Sequence, residues 1–149
     1  SYRAVDEVEY VYVFWKPGMT KVDRGRLNAD EWAEWGSRGV WYIRSVRKNT
    51  EHEAQFPAEL PERLIRLLTD PGEIALDCFI GSGITAVAAS GLNWRFLGFE
   101  LDRRYAELAE RKINSSLNQR FLGFELGEGY AESAERKVQT VLADSLTSG

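Results

Sequence analysis

Apolar residues follow two regimes along this chain. Before residue 50 they come in short, separated bursts, and from Pro57 onward they recur at regular helical and strand spacings. The first burst, Val8-Glu-Tyr-Val-Tyr-Val-Phe-Trp15, is rich in β-branched and aromatic residues and closes on Lys16-Pro17-Gly18, which predicts a strand ended by a turn. Residues 18–29 are polar, with Asp23, Arg24 and Arg26 crowded together, and read as a loop. Asp30 is placed to cap a short helix that carries Trp32 and Trp35 on one face and stops at Gly36. Val40-Trp41-Tyr42-Ile43 is a short strand candidate.

The second regime is more regular. Pro61 suits a first helical turn, and Leu64, Ile65, Leu67 and Leu68 give an apolar helix that ends by Asp70-Pro71-Gly72. A buried strand is expected over 73–79, a small-residue helix over 84–90 stopped at Gly91, and a second apolar strand over 95–101. Strand, helix and strand fill about 30 residues, the size of one βαβ unit. A right-handed crossover makes the two strands parallel, with both carboxyl ends on one edge.

A repeat follows. Residues 95–113, RFLGFELDRRYAELAERKI, return 25 positions later as 120–138, RFLGFELGEGYAESAERKV, with fourteen of nineteen identical. One copy reads as a strand and a helix, and a single duplication is too little for a solenoid. The second copy is either a recent duplication without function or a strand at 120–126 that pairs beside strand 95–101 and covers an open edge.

The 149 residues are 44% hydrophobic, which fits one globular domain. No apolar run reaches the roughly 18 residues of a membrane span and no signal sequence is visible, so a cytoplasmic protein is expected. The chain starts without Met and enters a strand almost at once, which suggests residues upstream of Ser1 or a tag remnant. One Cys and one His exclude a disulfide framework and a conventional zinc site, so no metal is expected and any cofactor is organic. Net charge is −4, yet Lys16, Lys21, Arg24, Arg26, Arg38, Arg44, Arg47 and Lys48 outnumber the four acids between them. That local basic excess allows a polyanion-facing segment, against the plainer reading of a solvated loop.

The chemistry concentrates in Asp77-Cys-Phe-Ile-Gly-Ser-Gly-Ile-Thr85 and Glu100. Ligands of open parallel sheets settle beyond the carboxyl ends of the strands, where Asp77 and Glu100 both fall. Gly81 and Gly83 let the backbone turn sharply and approach a ligand, and a helix start near Ile84 and Thr85 offers N–H groups. Glu100, 19 residues after Gly81, is placed to accept the hydrogens of a ribose diol. A dinucleotide fingerprint would need a third glycine near Ala86, and a carboxylate beside the turn repels a pyrophosphate while favouring an ammonium. S-adenosylmethionine therefore fits better than NAD.

Asp77-x-Phe79-x-Gly-Ser-Gly-x-Thr85, preceded by His52-x-Ala-Gln-Phe56-Pro57-x-Glu-Leu-Pro61 and followed by Gly98-Phe-Glu100-x-Asp102-x-x-Tyr105, resembles the S-adenosylmethionine half of DNA amino-methyltransferases of the β arrangement. In that order a catalytic half comes first, a target-recognition segment follows, and the cofactor half is last. The resemblance covers residues 8–113 and implies an α/β fold, a partial Rossmann-like methyltransferase sheet with a duplicated C-terminal strand-helix unit. It implies cofactor contacts from Phe56, Pro57, Asp77, Phe79, Gly81, Ser82, Gly83, Thr85 and Glu100, with Phe56 and Pro57 over the methionine end. Trp32, Trp35, Gly39 and Trp41 resemble the recognition segment, and Lys16, Lys21, Arg24, Arg26, Arg44 and Lys48 are its candidate phosphate contacts on double-stranded DNA.

The resemblance divides the chain into 1–50, the end of a catalytic half plus recognition segment; 51–113, the cofactor-binding βαβ region; and 114–149, the repeat and tail. Cys78 stands where the family has Pro, and Ile84 where it has Thr. Methylation of an exocyclic amine needs a Pro-Pro tetrapeptide, but Pro17, Pro57, Pro61 and Pro71 are never adjacent. No catalytic residue is therefore assigned. The family's order puts the tetrapeptide upstream of Val8, which implies a missing N-terminal half or a partner chain. Cys78, inside the cofactor strand, reads as a small buried residue and not as a cytosine-C5 nucleophile. His52 reads as structural more readily than as a ligand contact, and at least two of Trp32, Trp35 and Trp41 as core and not as base-stacking platforms.

Overall fold

Acids in the first turn and a cation in the last turn complement the dipole of α2 (Glu59–Leu68), with Glu59 and Glu62 at its start and Arg66 near its end. Pro61 sits in the opening turn, where a missing N–H costs nothing. The helix stops as Thr69 turns extended, its N–H donating to the Ile65 carbonyl at 3.0 Å. Gly72, at φ 88°, then reverses the chain into β1. The computed structural model describes residues 8–16, 22–46 and 56–116, with 139 and 143.

Strand β1 (Ile74–Asp77) leads through a glycine turn into α3 (Ile84–Gly91), and β2 (Arg95–Gly98) leads into α4 (Arg103–Ser116). β1 and β2 pair in parallel, from Ile74 opposite Arg95 to Asp77 opposite Gly98, which is the expected βαβ unit. Both strands are shorter than the apolar runs suggest. Past the ladder the Phe99 N–H still donates to the Asp77 carbonyl at 3.0 Å and the Ile80 N–H to the Phe99 carbonyl at 3.1 Å. The turn is thereby stitched to the neighbouring strand.

The main core joins Ile65, Ala75, Ile80, Ala86, Ala88, Ala89, Phe96, Ala109 and Ile113, with Leu92 and Trp94 against it. Alanines on α3 allow close helix and sheet approach, and Phe96 supplies the bulk, worth about 1.5–3 kcal/mol on burial. A second cluster joins Leu27, Trp35 and Leu67, with Trp32, Trp41 and Leu68 packed on it. Helix α2 separates the two, giving Ile65 to one and Leu67 to the other.

Trp35 is core, and Trp32 and Trp41 pack partly buried against it, as expected for at least two of the three. Trp35 and Trp41 meet edge to face at 5.9 Å, and the guanidinium of Arg63 lies over both rings. The helix that presents Trp35 begins earlier than expected. Asn28, not Asp30, caps α1 (Ala29–Glu31) in a reciprocal capping box with Glu31, and a π-helical turn carries on from Trp32 to Gly36. The expected loop before it contains a 3-10 turn, Arg24–Arg26, capped by Asp23.

Two expected strands are not formed among the described residues. In residues 8–15 the rings of Tyr10, Tyr12 and Phe14 follow one another at 6.2 and 6.5 Å, the alternation that suggested a strand, but no ladder partner exists among the described residues. Residues 40–43 are likewise unpaired among the described residues. Alternation gives a segment its two faces, whereas a strand also needs a neighbour for its backbone. Among the described residues β1 itself is bonded along one edge only, and Leu76 stays 54% exposed, so the strand is less buried than its sequence suggests. Lys21, Lys48, His52 and the second copy at 120–138 lie outside the described residues, as does any pairing of strand 120–126. Among the described residues no helix is long and apolar enough to cross a membrane, and no cluster of His, Cys, Asp or Glu could hold a metal.

Candidate functional site

Parallel pairing brings the carboxyl ends of β1 and β2 to one edge, and the glycine turn rises from it. The turn starts as an Asx motif in which the Phe79 N–H donates to Asp77 Oδ1 at 2.9 Å. Gly81 takes φ 53° and Gly83 φ 87°, values that disfavour any residue with a Cβ. The Gly83 N–H donates to the Ile80 carbonyl at 2.9 Å, and Gly83 then caps α3, whose start has no side-chain cap. A Cβ on Gly83 would stand 2.9 Å from the Ala109 backbone, so this glycine also admits α4.

Glu100 binds two backbone N–H groups. Its Oε2 accepts the Gly81 N–H at 2.8 Å and its Oε1 accepts the Asp102 N–H at 2.9 Å. One carboxylate therefore latches the turn to the start of α4. A carboxylate has about four acceptor sites, so each oxygen keeps a lone pair for a further donor. Nothing in a one-dimensional motif signals this latch, apart from a spacing that places both residues on the same edge.

Asp77, Phe79, Gly81, Ser82, Gly83, Thr85 and Glu100 are thus gathered in one place. Ser82 is buried, Thr85 is half-buried in the first turn of α3, and Phe79 projects with 88% of its surface exposed. Phe56 and Pro57 precede α2, where the Pro57 carbonyl accepts the Leu60 N–H at 3.1 Å; among the described residues no hydrogen bond ties them to the turn. Cys78, expected to be buried, is exposed, because it follows the last paired residue of β1 and sits in the turn itself.

The basic residues separate into two groups. Lys16, Arg24 and Arg44 are exposed. Arg26 is not, with its side chain only 5% exposed, its Nε donating to Asp70 at 2.7 Å and one terminal nitrogen to the Leu67 carbonyl at 3.0 Å. It fastens the 22–46 segment to the end of α2, which takes it out of the candidate phosphate contacts. A second tie joins Glu31 to Arg66, and that guanidinium holds the Glu31 carboxyl below its usual range. Arg26 does the same for Asp70. These arginine ties, and the Arg63 contacts with tryptophan, were invisible in sequence because their partners lie far apart in the chain.

At the start of α4, Asp102 Oδ1 accepts the Arg104 N–H at 2.8 Å, and the Arg104 guanidinium closes on the same carboxylate. Chiefly through that contact, Asp102 is held down at about 2.

Known proteins share this architecture. A family model described as DNA methylase matches residues 1–111. The chain is 54% identical over 115 residues to the type II methyltransferase M.BglI of Bacillus subtilis, covering 77% of this chain and 33% of that protein. It is 38% identical over 90 residues to M.BglII of Bacillus subtilis, covering 58% and 25%. Among solved structures, TTHA0409 of Thermus thermophilus, complexed with S-adenosyl-L-methionine, superposes with TM-score 0.53 at 28% identity, covering 74% of this chain and 44% of that one. The cytosine-N4-specific PvuII DNA methyltransferase gives TM-score 0.50 at 26% identity, covering 64% and 40%. The chain spans about a third of the length of the curated relatives it matches. With most of its residues inside the family model and over half the aligned positions shared with M.BglI, the chain belongs to the N6/N4 DNA methylase family.

Proposed function

We propose that this chain is the cofactor-binding and target-recognition portion of a site-specific DNA methyltransferase that acts on adenine N6 or cytosine N4. The observation that carries the reading is the acid-latched glycine turn at the carboxyl edge of a parallel βαβ unit. S-adenosylmethionine, the cofactor this edge fits, would supply an electrophilic methyl group on a sulfonium. Asp77, Phe79, Gly81, Ser82, Gly83, Thr85 and Glu100 would hold it, with Phe56 and Pro57 approaching from the start of α2. The free lone pairs of Glu100 suit the ribose hydroxyls, and the exposed ring of Phe79 offers an apolar surface to a base. Lys16, Lys21, Arg24, Arg44 and Lys48 would meet DNA phosphates.

Transfer itself needs an acceptor for the amine hydrogens and a stacking surface for the flipped base, which the family supplies from a Pro-Pro tetrapeptide absent from these 149 residues. The chain alone therefore binds cofactor weakly and does not turn over. The open edge of β1 among the described residues and the exposed Leu76 favour a complement, either an upstream half of the same polypeptide or a partner chain. Isothermal titration with S-adenosylmethionine tests the pocket: measurable heat that Glu100→Ala abolishes is expected. Absence of heat here, together with binding by a chain carrying the upstream half, would mean that the pocket is not formed in this portion. A DNA methylation assay on the complemented protein tests the activity.

A further inference from the structure

Although the chain is net −4, residues 36–50 contain Arg38, Arg44, Arg47 and Lys48 and neither Asp nor Glu. In the described part of this stretch burial alternates: Trp41 and Ile43 are half-buried, whereas Val40, Tyr42 and Arg44 are exposed. The inward side is pinned. Trp41 Nε1 donates to the Trp35 carbonyl at 2.8 Å, and its ring meets Trp35 edge to face beneath the Arg63 guanidinium. Arg38 Nε donates to the Ala33 carbonyl at 3.1 Å, which ties the approach to the same π-helical turn. Tyr42 is the outward ring on this fixed mount. It is 92% exposed, and among the described residues neither its ring nor its hydroxyl has a partner.

A single exposed ring is ordinary on a protein surface. A ring braced at its chain neighbour and set in a stretch with cations and no anions is the combination that stacks on nucleic-acid bases while phosphates are neutralised beside it. The tryptophans are not available for that work, since Trp35 is buried and Trp32 and Trp41 are packed around it. We propose, resting on the reading of this chain as part of a DNA methyltransferase, that Tyr42 is the base-stacking residue of the recognition segment and fills the gap that opens in the duplex when the target base leaves the stack. Methylation of an exocyclic amine needs the base outside the helix, and a planar ring that enters the vacated step offsets part of the unstacking cost. Tyrosine suits the place because it brings a large rigid surface on only two side-chain torsions. Arg44, the next outward residue, meets a phosphate beside the gap. The contact is with base faces and not with base edges. Tyr42 therefore favours opened over closed duplex without selecting a sequence.

The test uses the full 149-residue chain and two fluorescein-labelled DNA duplexes of one sequence, the first intact and the second with a central abasic site, which presents the gap without any cost of flipping. In anisotropy titrations wild type is expected to prefer the abasic duplex by about five- to hundredfold, the range of one base–aromatic stack. Tyr42→Phe keeps that preference. Tyr42→Ala abolishes it, while the urea midpoint and the salt dependence of binding stay those of wild type, because the side chain is exposed and uncharged. Arg44→Ala weakens binding to both duplexes alike and lowers the salt dependence. A preference that survives Tyr42→Ala, or equal binding of both duplexes by wild type, overturns the proposal and leaves the DNA-binding reading in place. A lowered urea midpoint for Tyr42→Ala also overturns it, since the ring would then be structural. Wild type that binds neither duplex overturns the proposal together with the phosphate contacts on which it rests.

Discussion

Gly83→Ala is the sharpest test of how the glycine turn is built, because two separable costs act on one methyl group. The first is conformational: at φ 87° an alanine is held in left-handed space at about 1–2 kcal/mol. The second is steric. The new Cβ would sit 2.9 Å from both the Cα and the Cβ of Ala109, a fully buried residue on α4 whose backbone cannot yield without moving the helix, and such overpacking costs about 1–3 kcal/mol. Gly72 is an internal control, since its φ is 88° and an added Cβ there meets nothing within 4 Å. Gly72→Ala should lose only the first amount. Gly83→Ala should lose about 2–5 kcal/mol, a large share of a small domain's stability. Urea denaturation of both variants measures the difference directly. A double-mutant cycle with Ala109→Gly should show coupling of about 1 kcal/mol, partial because the Ala109 Cα remains. Equal losses at Gly72 and Gly83 would refute the claim that α4 packs against the turn.

Glu100→Gln keeps the shape but presents an amide nitrogen to one of two N–H donors, so about 1–3 kcal/mol of stability should disappear in urea unfolding, together with cofactor heat in titration. Arg26→Met should cost about 1–3 kcal/mol by releasing Asp70 and the Leu67 carbonyl, while leaving the salt dependence of DNA binding by the complemented protein unchanged; Arg44→Ala should reverse that pattern. Asp102, Asp70 and Glu31 all titrate below their unfolded values, so the stability they contribute is complete above about pH 4.5 and is lost as pH falls toward 2. Urea midpoints measured from pH 5 to pH 2 should decline, and Asp102→Asn, which keeps the helix cap, should flatten the lower end of that decline.

The βαβ unit was legible because it is local: each element lies within one periodic run, and the connection length forces parallel pairing. The grouping of the turn residues with Glu100 was legible for the same reason, since the turn residues are contiguous and Glu100 follows the very next strand. What could not be read required a partner. The segment at 8–15 has the alternation of a strand but no neighbour among the described residues, and Cys78 looked buried only because the run around it was read as strand to Phe79. Arg26 looked like a phosphate contact because charge in sequence carries no sign of its surroundings. Its acceptors, Leu67 and Asp70, lie more than 40 residues away. Asn28 displaced Asp30 as the helix cap because Glu31 completes a reciprocal pair with Asn28 and not with Asp30.

The Glu100 latch has a kinetic consequence. A glycine turn tied at Gly81 before any ligand arrives has already lost the backbone freedom that a floppy phosphate- or ribose-binding loop would surrender on association. Encounter with a nucleoside should then proceed by simple docking with rigid-body rates, without a slow ordering phase. Cutting the latch would convert the same turn into an induced-fit site, in which observed rates saturate with ligand concentration.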